Sequence, residues 1–144
     1  MIHRFFSKSA LPPLSQQLAQ TPISKFMTRN PYSVMKTTPV GIAIQTMLTH
    51  GISGLPVVDV SQVCIGLYTE LDAMIQAASQ PLDAPIRFRS PAISVQSDFT
   101  FKEVLLVMAR RKLRRVPVVD DRKRLLGIVA RRDMLKAFMD DVQR

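Results

Sequence analysis

The sequence predicts an α/β fold of the mixed (α+β) kind: two β-α-β-β-α units packed about a pseudo-twofold axis. Three observations carry this. Residues 50–74, HGISGLPVVDVSQVCIGLYTELDAM, align without a gap at an offset of 61 with residues 111–135, RKLRRVPVVDDRKRLLGIVARRDML. Both blocks contain Pro-Val-Val-Asp, a Gly seven residues after that Asp, and a second Asp six residues further on. Helical apolar stripes precede both blocks at the same offset. A unit of this size cannot bury its apolar face alone, so two copies imply a paired core with a cleft between them. The third observation is size: 144 residues, 47% of them hydrophobic, suit one core of ordinary domain size rather than two large ones.

Residues 1–24 read as an N-terminal arm, with Pro12, Pro13 and Pro22, scattered Ser and Gln, and a short helical stretch at 14–19. Arg4, Lys8, several Ser and no acid also match the composition of an organelle transit peptide, but the arginine content is low and the reading is a retained arm. The first repeat occupies residues 25–80. A short strand at 32–35 follows Pro31, and a helix begins with Thr38 as N-cap and Pro39 in its first turn. Val40, Ala43, Ile44, Met47 and Leu48 share one face of it, and Gly51 is placed to end it. Residues 55–58 and 64–68 are short apolar strands around a polar turn, and Thr69 opens a helix that runs to about Ser79.

The second repeat, residues 81–144, opens with a linker holding Pro81 and Pro85 and then follows the same order. Strands are expected at 93–95, 116–119 and 126–130, with helices starting at Thr100 and Arg131. Thr100 and Glu103 form a capping box, and Phe101, Val104, Leu105 and Met108 repeat the first copy's stripe. Methionines on these stripes are core filling.

Several chemistries lack their residues. No run approaches the eighteen or more consecutive apolar residues of a spanning helix, and the N-terminus has no apolar signal run, so the expected protein is soluble and cytoplasmic with no membrane association. Cys64 is the only cysteine, which rules out an intrachain disulfide, and its apolar surroundings in sequence mark it as a small packed hydrophobe. The only histidines are His3, in the arm, and His50, at a helix end where the dipole favours it. No metal-ligand spacing and no Ser-His-Asp set emerges, and the five glycines form no phosphate-cradling loop. The chain reads as a non-enzyme with no obligatory cofactor.

The net charge of +9 is unevenly placed: no acid precedes Asp59, while residues 110–124 hold eight Lys or Arg against two Asp. That favours an anionic partner, whether a nucleotide phosphate, a nucleic acid backbone or an acidic protein surface. The strand-to-helix junction at Gly66-Leu67-Tyr68-Thr69-Glu70-Leu71-Asp72 offers a place for one. There the Thr69 hydroxyl, free backbone N–H groups and the helix dipole converge, and the Asp72 carboxylate can accept from a vicinal diol such as a ribose. Thr-x-x-Asp is equally a capping arrangement that stabilises the helix with no ligand. The second copy keeps Asp133 but has Ala130 in place of the hydroxyl, so a complete box does not account for that carboxylate.

Phe26-Met27-Thr28 leading to Pro31, Leu55-Pro56-Val57-Val58-Asp59, Gly66 to Asp72, Arg114-Arg115-Val116-Pro117-Val118-Val119-Asp120 and Gly127 to Asp133 together resemble a tandem pair of CBS domains, named for cystathionine beta-synthase. The resemblance covers residues 25–141. It implies a Bateman module, in which the paired units often double into a disc-like dimer and bind AMP, ADP, ATP or S-adenosylmethionine in the interdomain clefts as regulatory ligands. It further implies that Asp72 and Asp133 hold ribose hydroxyls, that Thr69 meets the ribose or phosphate, and that Arg114 and Arg115 lie where phosphate contacts are placed, with Arg131 at the second site following the position of the missing hydroxyl. The base would sit near Ser33, Val34, Leu55 and Ile93. Ala130 and the Ser53-Gly54 replacement of the arginine pair depart from this pattern, leaving each site half equipped and predicting that one is used preferentially.

The function expected is that of a small regulatory module that senses an adenosyl nucleotide and signals through a homodimer or a regulated protein. Two alternatives stand beside it. One is nucleic-acid binding through the basic stretch, which lacks interleaved aromatics for stacking; the other is a ligand-free dimerisation adaptor.

Overall fold

The computed structural model describes residues 14–142; the transit-peptide question and His3 lie outside the described residues. Helix α1 (Gln16–Gln20) is capped by Ser15, whose side-chain oxygen accepts from the Leu18 N–H, and a 3-10 turn follows at Ile23–Lys25. Strand β1 (Thr28–Arg29), α2 (Val40–His50), β2 (Gly54–Val58), β3 (Cys64–Thr69) and α3 (Glu70–Ala77) follow in turn. Next come β4 (Val95–Gln96), α4 (Phe101–Arg111), β5 (Arg115–Val119), β6 (Leu125–Ala130) and α5 (Arg131–Val142). This is the expected α+β pair of β-α-β-β-α units. The apolar stripes bury Val40, Ala43 and Met47 on α2 and Phe101, Val104 and Met108 on α4, but Leu48, expected on the α2 stripe, is 76% exposed at the helix's C-terminal end.

Two local expectations differ. The strand expected at 32–35 is reduced to one parallel bridge, Val34 to Val57. Thr38 does not cap α2. Its Oγ1 accepts from the Met35 N–H, and Pro39 stands at the N-cap with no side-chain hydrogen bond. The reason is tertiary: the first helical donors, Val40 N–H and Gly41 N–H, are satisfied by the carbonyls of Ala84 (2.9 Å) and Leu82 (2.8 Å) in the linker. Gly51 ends α2 in the left-handed conformation, φ 62°, as its position predicts. The equivalent residue after α4 is Lys112, which takes the same conformation at φ 55° without glycine's freedom.

The chain folds as two hairpins, each closed by a segment from outside its own repeat block. β2 pairs antiparallel with β3, and β5 with β6. β1, from the start of the chain, pairs antiparallel with β6 (Thr28 with Ile128, Arg29 with Gly127), completing the sheet order β1-β6-β5-β4. In the first lobe the linker does the same work through the antiparallel bridge between Arg89 and Leu67. Thr28 and Arg89 are themselves 61 positions apart, so the two closures are equivalents. On the axis between the lobes the two hairpin turns meet. Cys64 N–H donates to the Lys123 carbonyl (2.9 Å) and Leu125 N–H to the Gln62 carbonyl (2.9 Å).

The two cores follow this exchange rather than the order of the chain. Leu18 and Ile23, in the segment read as an arm, are buried with Val104, Val116, Val129 and Met134 of the second repeat. Ile86 of the linker is buried with Val40, Leu55 and Tyr68 of the first, and Phe88 packs beside them. A polar latch fixes the linker. Gln76, only 5% exposed, accepts from Tyr68 Oη (2.8 Å) and Arg87 N–H (3.0 Å) and donates to the Pro85 carbonyl (2.8 Å) and to Gln80 Oε1 (2.9 Å). The equivalents of Tyr68 and Gln76 in the second repeat are Val129 and Ala137, so that lobe is closed by backbone pairing and apolar packing without such a latch.

Glycine is required at 66 and 127 for space. A Cβ on Gly66 would lie 2.6 Å from the Arg89 carbonyl oxygen and would overlap the Phe88 ring; one on Gly127 would lie 2.7 Å from the Thr28 carbonyl oxygen and 2.6 Å from the Met27 sulfur. Gly66→Ala and Gly127→Ala should each destabilise the fold by about 1–3 kcal/mol, the usual cost of overpacking, as measured by urea denaturation. Cys64 supplies a second prediction. Burial pushes its thiol up from the ordinary value, against a smaller lowering contribution from the Gly66 backbone. An acid whose folded-state pKa is raised favours the fold fully below the unfolded-state value and loses that contribution as pH rises towards the folded one. Alkylation of Cys64 at pH 8 should therefore be slower in the native protein than in the urea-unfolded chain, as followed by iodoacetamide labelling.

Candidate functional site

At the end of β3 the chain turns directly into α3, and Thr69 caps the helix. Its hydroxyl accepts from Asp72 N–H (3.2 Å) and donates to Asp72 Oδ2 (2.9 Å), and Thr69 N–H donates to the same oxygen (3.0 Å). This is a complete capping box. The Glu70 N–H is also taken, by the Ser53 carbonyl (3.0 Å). Two of the first three helical donors therefore already have partners, and attraction for an anion rests chiefly on side chains. The β6–α5 junction repeats the plan, with Arg131 N–H on the Arg114 carbonyl (3.0 Å). Asp133 Oδ2 accepts from Ala130 N–H (2.7 Å), so this carboxylate has a local partner even without the hydroxyl.

A cleft of about 560 Å³ opens beside Thr69. Its lining combines apolar side chains, among them Leu67, Leu71, Met74, Pro91 and Ile93, with the cations Arg89, Lys112, Arg114 and Arg115 and one acid, Glu70. Arg115 reaches from the second lobe over the backbone of Gly54 and donates to Ser53 Oγ in the first. A Cβ on Gly54 would meet Arg115 Cδ at 2.6 Å, so the glycine makes room for this crossing. Burial lowers the Arg115 pKa, an effect that nearby Glu70 opposes and that Arg114 and Arg131 reinforce; a guanidinium nonetheless keeps its charge. Arg89 Nε stands 3.5 Å from Asp72 Oδ1, with the arginine side chain 73% exposed and the carboxylate 13% exposed. Such a solvent-facing pair adds little stability and leaves Arg89 available.

Of the residues singled out from the sequence, Thr69, Ile93, Arg114 and Arg115 line this cleft; Ser33, Val34, Leu55, Asp72, Arg131 and Asp133 do not. Val34 and Leu55 are buried in the first core. Asp72 stands directly behind Thr69, while Arg131 donates from Nε to the Leu113 carbonyl (2.8 Å). Arg89 and Lys112 escaped the sequence reading. Arg89 reaches the site only because the linker folds back onto β3, and no spacing signals that.

The CBS domain family model matches residues 23–77 and 86–140. This chain belongs to the CBS domain family. The pair is 36% identical over 99 residues to inosine-5'-monophosphate dehydrogenase of Methanocaldococcus jannaschii, covering 67% of this chain and 19% of that enzyme. It is 31% identical over 117 residues to 5'-AMP-activated protein kinase subunit gamma-3 of Bos taurus, covering 74% of this chain and 24% of that subunit. The chain thus spans a quarter or less of either relative. Among solved structures, the CBS domain pair of protein MJ0100 in complex with 5-methylthioadenosine and S-adenosyl-L-methionine shares 25% identity at a TM-score of 0.75, covering 82% of this chain and 99% of that one. CBSX2 in complex with AMP matches at 21% and 0.75, covering 86% and 99%, a likeness of fold. CBS pairs are regulatory modules, and among the described residues of this one no helix is long and apolar enough to cross a membrane.

The capping contacts carry their own prediction. Asp72→Ala and Asp133→Ala should each cost about 0.5–2 kcal/mol in urea denaturation with no ligand present. The Asn variants, which keep a carbonyl acceptor for the Thr69 or Ala130 N–H, should lose less.

Proposed function

We propose that this CBS pair is a non-catalytic regulatory module that binds a phosphorylated adenosyl nucleotide in the cleft beside Thr69. The observation that carries the reading is the lining of that cleft, which brings apolar side chains together with four cations. A purine base can lie against Ile93, Pro91 and Leu67, while phosphate meets Arg114, Arg115, Lys112 and Arg89. Arginine suits this role because its planar fork pairs two phosphate oxygens at once. Thr69 faces the ribose, and Asp72 Oδ1, engaged only by exposed Arg89, keeps acceptor capacity for a sugar hydroxyl.

The pseudo-twofold relates this cleft to a second position around Ala130, Arg131 and Asp133, the counterparts of Thr69, Glu70 and Asp72. Lacking the hydroxyl, that position takes second place. The adenosyl ligands in the MJ0100 complex and the AMP in the kinase subunit's name support the ligand class. The partial coverage of an enzyme such as the dehydrogenase supports a module that regulates rather than reacts. The module acts in the cytoplasm as a homodimer, passing the ligand's preference for one arrangement of the lobes to itself or to a regulated protein.

Calorimetry with AMP, ATP and S-adenosylmethionine tests the reading. One dominant site per chain is expected, and Arg115→Ala should weaken AMP or ATP binding by roughly 10- to 100-fold, the loss of a charge-assisted hydrogen bond. Absence of binding by both AMP and ATP overturns it, whatever S-adenosylmethionine does.

A further inference from the structure

Apart from the Tyr68 hydroxyl, Gln76 is the one buried polar side chain among the described residues, and its amide is fully engaged: Oε1 accepts twice and Nε2 donates twice. A desolvated amide of this kind calls for a reason. The duplication provides an internal comparison. The second lobe closes around its own segment with Val129 and Ala137 at the positions of Tyr68 and Gln76, so closure of a lobe does not require the latch. The two closing segments differ in what they deliver. The linker carries Arg89 into the cleft, whereas the segment that closes the second lobe has Thr28 at that position. The lobe with the latch is thus the lobe whose closing segment brings a cation to the cleft.

We infer that Gln76 is a positioning residue for the nucleotide cleft: it touches no ligand itself, but fixes residues 85–87 on α3 and so aims Arg89 at the phosphate. The inference rests on the proposed function and adds a residue that governs the same site. Gln76 stands one turn after Asp72, and α3 holds the linker at successive points. Gln76 takes the Pro85 carbonyl and the Arg87 N–H, and Asp72 faces the Arg89 side chain at 3.5 Å. The backbone of Arg89 is tied only by two long hydrogen bonds to Leu67, of 3.2 and 3.3 Å, so the anchor two residues earlier sets where the arginine starts. With the latch closed, the entropy of ordering this segment is lost on folding rather than on binding, which is how preorganisation raises affinity.

A double-mutant cycle on AMP affinity tests this, with Gln76→Leu, Arg89→Ala and their combination measured by calorimetry. Arg89→Ala should weaken binding roughly tenfold, the loss of one charge-assisted contact. Gln76→Leu should weaken it about three- to tenfold. The combination should bind no more than about twofold worse than Arg89→Ala alone, because the latch then has nothing to aim. Losses that multiply, as a purely structural role requires, or unchanged affinity in either single variant, overturn the inference and leave the nucleotide reading standing. With no ligand present, hydrogen exchange at the amides of residues 86–90 should quicken roughly tenfold in Gln76→Leu, and unchanged exchange also overturns the inference. If Gln76→Leu does not fold, Tyr68→Phe is added to it, since removing both partners of a buried hydrogen bond costs less than orphaning one. Failure of both proteins to fold assigns Gln76 to the fold alone and overturns its positioning role. Absence of AMP and ATP binding by the unsubstituted protein overturns the nucleotide reading and this inference together, a result distinct from the others because no substitution is involved.

Discussion

The fold depends on one close approach made twice: a strand from outside each repeat laid against the central glycine of its second hairpin strand. Gly66 admits the backbone of Arg89 and the ring of Phe88, and Gly127 admits Met27 and Thr28. Neither hairpin could bury its apolar side chains alone, and the segments that close them, 15–29 and 82–89, also bring buried residues: Leu18 and Ile23 to one core, Ile86 to the other. The two lobes are therefore interlocked through the chain itself. The hydrogen bonds on the axis, where each hairpin turn supplies both a donor and an acceptor, reinforce that lock.

The cleft inherits this arrangement. The linker that closes the first lobe continues into the cleft wall through Arg89, Pro91 and Ile93, while residues 112–115 bring the second lobe's wall. A ligand touching both sides feels the relative position of the lobes, which is the physical requirement for coupling binding to a change of shape. Arg115 is the side chain most exposed to that coupling, because it already spans from one lobe to Ser53 of the other.

The repeats are equivalent in backbone and unequal in chemistry. Gln76 latches the first lobe's linker by side-chain hydrogen bonds, whereas Ala137 gives the second no such latch. Thr69 completes a capping box that Ala130 cannot. Duplication supplied the symmetric frame, and these differences distinguish the two clefts.

The sequence by itself determined the elements and their pairing into repeats, because helical stripes, strand length and the Thr100–Glu103 box are local in origin. It also contained the family pattern and four residues of the cleft: Thr69, Ile93, Arg114 and Arg115. Tertiary structure alone decided which lobe residues 15–29 and 82–89 belong to, since β pairing between distant segments leaves no periodic trace in either. It replaced the Thr38 cap with linker carbonyls, brought Arg89 and Lys112 to the site, and gave Asp133 a backbone partner. Each of these turns on satisfying a donor or filling a space with a group far away in the chain, which becomes visible only when the chain has folded back on itself.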